Sequence, residues 1–113
     1  MAVTVYGIAN CDSVKKVRVW LDTQNVAYTF HDYKKQGTPE AELRRWVAVK
    51  GWEIVLNRKG TTWRALDDAI KASAVAVMLA NASSIKRPVV TRGDVVMVGV
   101  DFAALAALTG NNF

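Results

Sequence analysis

Among 113 residues there is one cysteine, one histidine and two prolines. A single cysteine excludes an internal disulfide. One cysteine and one histidine cannot furnish the ligands of a structural zinc site, so no metal is expected. Long apolar runs are also missing. The longest strongly apolar run, Ala74 to Ala80, falls far short of the roughly 20 residues a spanning helix needs, so no membrane association is expected. Residues 1 to 10 carry no positive charge and no apolar stretch of signal-peptide length. A cytoplasmic protein with a free thiol is therefore the expectation. Repeats, linkers and low-complexity segments are absent, and no heptad or large exposed stripe argues for obligate assembly. What is abundant is apolar: 51% hydrophobic against 22% charged residues, which excludes disorder as the overall state. A chain of this length reads as one domain, residues 1–113, able to bury roughly two-thirds of its unfolded surface.

Fifteen Lys and Arg against ten Asp and Glu give a net charge of +5. That favours anionic partners without saying which. The basic residues are dispersed, in no run longer than two, which argues against a nucleic-acid footprint.

Residues 2 to 8, Ala-Val-Thr-Val-Tyr-Gly-Ile, read as a buried strand. Asp12 and Ser13 are good helix caps. Val14, Val17, Trp20 and Leu21 then recur at helical spacing, so a first helix is expected over about 13 to 24. Val26 to Tyr33 reads as a second strand, Lys34 to Thr38 as a polar turn. Thr38 as cap and Pro39 at the first position open a second helix. Gly51 to Arg64 breaks into short pieces, and Trp63 to about Ala80 reads as helix. Val89-Val90-Thr91, the turn Arg92-Gly93-Asp94 and Val95 to Val98 form a hairpin. Asp101 caps a final helix, Phe102 to Leu108. The fold class is α/β: a βαβ unit, then a hairpin and a helix. This is the thioredoxin-like plan with an all-helical insertion at about 39–82.

Cys11 is the main candidate for chemistry. A lone cysteine is commonly a small buried hydrophobe. This one lies between a strand end and a helix start, where N–H groups and the helix dipole favour an anion. Such a place lowers a thiol's pKa and makes it a nucleophile. No second cysteine stands at Ser13 or Val14, so a dithiol switch is excluded and an outside thiol must release any adduct. Asn10 beside it is either a hydrogen-bond donor to the site or a turn former. His31 reads as structural.

VTVYGIANCDSVKKVRVWL at 3 to 21, GWEIVLNRKGTTWRAL at 51 to 66 and IKRPVV at 85 to 90 resemble the ArsC/Spx family of thioredoxin-fold proteins, and within it the YffB-type subfamily. The resemblance spans the chain and implies a cysteine-based reductase drawing electrons from glutathione. Cys11 matches the family's catalytic cysteine. Arg58 and Arg87 match two arginines of the arsenate reductases' oxyanion site. The resemblance also implies a cis peptide before Pro88, with the adjoining backbone pairing a peptide-like ligand. The third arginine has no counterpart between Met97 and Asp101, and Gly7 stands where the family has a histidine. Both departures count against arsenate reduction. Val14 replaces the last cysteine of the regulators' Cys-x-x-Cys switch.

The expected function is a monothiol reductase with Cys11 as nucleophile and Asn10, Arg58, Arg87 and Pro88 around the substrate. Its partners are glutathione, as co-substrate, or a small thiol or oxyanion. The alternative is a protein-interaction or transcription-regulatory module of the Spx type, with a protein partner and Cys11 idle or redox-sensing.

Overall fold

The structure, a computed structural model, describes residues 2–57 and 73–110. Its elements run β1 (Val3–Gly7), α1 (Asp12–Thr23), β2 (Tyr28–Asp32), α2 (Tyr33–Gln36), α3 (Glu40–Lys50), α4 (Trp52–Val55), α5 (Ala74–Ala80), β3 (Val89–Arg92), β4 (Val95–Val98) and α6 (Phe102–Thr109). Two compact units divide the chain: Met1–Gly37 with Arg87–Phe113, and Thr38–Lys86.

The first unit carries a four-stranded sheet in the order β2-β1-β3-β4. The β-branched β1 lies parallel to β2, Val3 opposite Tyr28 and Gly7 opposite Asp32. It lies antiparallel to β3, which pairs with β4 across the Gly93-Asp94 turn. Gly93 adopts a φ of 58° there, a conformation glycine enters without a Cβ penalty. This is the expected thioredoxin-like sheet. One core cluster joins Val3 and Val5 of β1, Val90 of β3 and Met97 of β4 to Val14, Val17 and Leu21 of α1 and to Leu105 and Leu108 of α6. The apolar positions of α1 recur every three or four residues, so they share the face turned to the sheet. Each such buried side chain contributes about 1.5–3 kcal/mol. Asp101 caps α6 as expected, its Oδ1 accepting from Ala104 N–H at 3.0 Å.

The second strand is shorter than its sequence pattern. Val26 N–H still bonds Leu21 C=O at 2.9 Å, closing off α1. At the other end Asp32 caps α2, accepting Lys34 N–H at 2.9 Å, so Tyr33 leaves the strand and begins a helical turn. The expected polar turn from Lys34 is that short helix.

In the second unit α3 contacts α4 and α5. Leu43, Trp46, Val55, Leu56, Met78 and Ile85 are buried. Leu56 bridges Ile85. The cap of α3 is Pro39 rather than Thr38: Pro39 is extended (φ −78°, ψ 104°), and its carbonyl takes the bond from Leu43 N–H at 2.9 Å. The helix expected from Trp63 to Ala80 is not one helix. Ser73, with φ −105° and ψ 49°, stands at the N-cap of α5, a residue type that suits helix ends better than interiors. The rest of that expectation, Trp63 included, lies outside the described residues.

Candidate functional site

Sequence places Asp12 and Ser13 as caps of α1; the structure gives that position to Cys11. Its backbone is extended (φ −132°, ψ 125°), and its carbonyl accepts Lys15 N–H at 2.9 Å. A cap residue looks out over the unpaired N–H groups of the first turn. The neutral thiol makes no capping hydrogen bond of its own. The thiolate has several partners in reach. Burial is the largest effect and pushes the thiol up. Against it act hydrogen bonds to the thiolate from Val14 N–H, the Arg87 side chain and Ser13 N–H, together with the Arg87 charge. Their sum holds the thiol below its ordinary value. Cys11 is half-buried against the α1–sheet core, so the sulfur is neither sealed in nor fully washed by solvent.

Arg87 reaches the site from two residues before β3, and a cis peptide bond joins it to Pro88. Pro88 is buried, and its carbonyl accepts Gly99 N–H at 2.8 Å, extending the hairpin by one bond. Arg87 Nε is buried without a hydrogen-bond partner. The Tyr33 hydroxyl is likewise buried and unpartnered. Burial, then the nearby Tyr6, push that hydroxyl up, while the Arg87 charge pulls it down. Tyr33 is thus a neutral phenol in the electrostatic field of the cation that faces Cys11. The sequence pattern gives no hint of this, because Tyr33 reads there as the end of a strand. The local signal is Asp32, a good helix cap, directly before it.

Asn10 is exposed in the turn leading to Cys11, and no hydrogen bond ties its side chain to the sulfur. Arg58 lies outside the described residues. His31, expected to be structural, has its Nε2 2.8 Å from Gly37 O and its ring beside Tyr6 and Tyr33. Gly7 shows why no histidine stands there: a Cβ would meet Val14 Cγ2 at 2.6 Å. The end of β1 packs so closely on α1 that no side chain fits without movement. Among the described residues, no three of His, Cys, Asp and Glu come together to hold a metal ion, and no helix is long and apolar enough to cross a membrane.

A model of the ArsC family matches residues 6–108. The chain belongs to the ArsC family. A relative from Haemophilus influenzae, described as an uncharacterised protein, is 37% identical over 102 residues, covering 86% of this chain and 90% of that protein. A solved structure of a protein called YffB is 50% identical, covers 96% of this chain and 99% of its own, and superposes with a TM-score of 0.89. The solution structure of an arsenate reductase-related protein from Brucella melitensis is 46% identical, covering 95% of this chain and 93% of its own, with a TM-score of 0.75. This ArsC-family chain is therefore an arsenate reductase-like thioredoxin fold with one cysteine, and that cysteine caps α1.

Proposed function

We propose that this protein is a monothiol reductase, drawing electrons from glutathione, with Cys11 as its nucleophile. The observation that carries the reading is the Arg87 side chain beside the sulfur of the residue at the N-cap position of α1, in hydrogen-bonding and electrostatic reach of its thiolate. A thiolate, not a thiol, attacks sulfur. In the first step the Cys11 thiolate attacks the glutathionyl sulfur of a mixed disulfide. A Cys11–glutathione disulfide forms, and the substrate leaves as a thiolate that takes a proton from water. A second glutathione thiolate then attacks the glutathione sulfur of that adduct. Cys11 leaves as thiolate and oxidised glutathione departs. In sum the mixed disulfide and one reduced glutathione give the free substrate thiol and oxidised glutathione, and Cys11 returns as thiolate.

Arg87 stabilises the thiolate before attack and again when it leaves. The Pro88 carbonyl is taken by Gly99 N–H, so a peptide ligand pairs with the backbone of Arg87. Arg58, matched by its motif alone, is the second cation of the reading, and Asn10 lines the approach. The only cysteine being a free catalytic thiol fits a reducing, cytoplasmic setting. The test is turnover of a glutathione mixed disulfide. Wild type should reduce it with glutathione, Cys11→Ser should not, and Arg87→Ala should be slowed. Equal activity of Cys11→Ser would refute the proposal.

A further inference from the structure

Beyond β1 the loop that carries Cys11 borders a cavity of about 390 Å³, lined by Ala9, Arg18, Phe30, Asp32, Lys35 and Gln36. Arg18 is held in place there. Its Nε donates to the Tyr28 hydroxyl at 3.2 Å, and its guanidinium carbon sits 4.1 Å above the Phe30 ring. That fixes the planar fork while leaving its terminal NH₂ groups available, and no ion pair occupies Arg18 or Lys35 among the described residues. A stacked, oriented guanidinium is a ready partner for a carboxylate. Gln36 accepts Asp32 N–H at 3.1 Å through Oε1, which fixes its side chain and leaves its amide NH₂ as a further donor. Asp32 is 7% exposed and tied to Lys34 N–H. With it, two cations leave the wall with one net positive charge, a better match for one carboxylate than for a multiply charged oxyanion. Ala9 is two residues from Cys11, a backbone span of at most about 7 Å.

We infer that this cavity is a carboxylate subsite for the thiol co-substrate, with Arg18 as its anchor. Arg18 lies seven residues along α1 from Cys11, about 10 Å of helix rise, so a ligand of tripeptide length whose sulfur meets Cys11 would place a carboxylate on Arg18 with Lys35 and Gln36 at its edges. The inference rests on the glutathione reading above and adds a site to it.

The experiment compares two disulfides as partners of Cys11: oxidised glutathione, and the uncharged bis(2-hydroxyethyl) disulfide. In each case the Cys11 thiolate attacks one sulfur, a mixed disulfide forms, and the other half leaves as thiolate. Arg18→Gln should slow the glutathione reaction about tenfold, as expected for loss of one partly solvated charge-assisted contact. The neutral disulfide should react within about twofold of wild type, which also reports that the site is intact. Exposed Lys35→Gln should shift the ratio the same way by a smaller factor, and it carries the test if Arg18→Gln does not fold. Equal slowing of both disulfides, or no change in either, overturns the subsite while leaving the thiol chemistry standing. Absence of any adduct on wild-type Cys11 overturns both.

Discussion

The Arg87 side chain faces the Cys11 sulfur, close enough to hydrogen-bond its thiolate and to act on it with its charge. Removing that cation should raise the thiol pKa. Alkylation of Arg87→Ala by iodoacetamide near neutral pH should be about three- to tenfold slower, and its pH profile should move to higher pH, since only the thiolate reacts. An unchanged profile would separate Arg87 from the thiol's acidity. The same shift has a stability sign. The folded thiol lies below its unfolded value, so the thiolate's contribution is fully present above the unfolded value and is lost as pH falls through the folded one. The unfolding midpoint of wild type should gain on that of Cys11→Ser as pH rises toward about 9.

Gly7 is fixed by contact rather than by backbone angle. Because a Cβ there would lie 2.6 Å from Val14 Cγ2, Gly7→Ala should force β1 and α1 apart. A loss of about 1–3 kcal/mol is expected, the usual range for overpacking a core. Urea unfolding would measure it, and a neutral Gly7→Ala would mean the two elements give way more easily than their packing indicates.

Much of this fold is legible in the sequence because its signals are local. Val14, Val17 and Leu21 announce a helix by spacing, Gly93-Asp94 a hairpin, and Asp101 a cap. The misplaced boundaries occur where two good signals compete. Asp12 and Ser13 are better capping side chains than a thiol, yet Cys11 holds the position, because the chain leaving β1 turns just before it. Thr38 yields to Pro39 in the same way. The site is less legible than the fold. Cys11 and Arg87 stand out by position and motif. Arg18 reads as one more polar residue on the outer side of α1; its place over Phe30 depends on β2 lying parallel to β1, a long-range pairing no local pattern displays. Tyr33 is hidden because it reads as the end of the second strand, although Asp32 caps a helical turn that begins with it.

Arsenate should be a poor substrate. The segment after β4, Gly99-Val100-Asp101, offers no arginine, and the space at Gly7 admits no histidine. Each missing charge-assisted contact should cost about 10- to 150-fold in binding or rate. Arsenate-dependent oxidation of glutathione by the purified protein should therefore stay close to the Cys11→Ser background, and brisk turnover would show that the anion is held by other groups.

The cap of α6 is a simpler test of the packing account. Asp101→Ala removes the acceptor of Ala104 N–H and should cost about 1 kcal/mol, read as a lower denaturation midpoint with an unchanged slope. No loss would mean that solvent replaces the cap at this exposed helix end.

The central claim is that Cys11 is a thiolate nucleophile that exchanges with glutathione. Intact-protein mass spectrometry after brief exposure to oxidised glutathione tests it most directly. The account predicts one glutathione added on Cys11 of wild type, removed by excess reduced glutathione, formed more slowly on Arg87→Ala and not at all on Cys11→Ser. A wild-type protein that stays unmodified under conditions that oxidise an ordinary exposed thiol would contradict it.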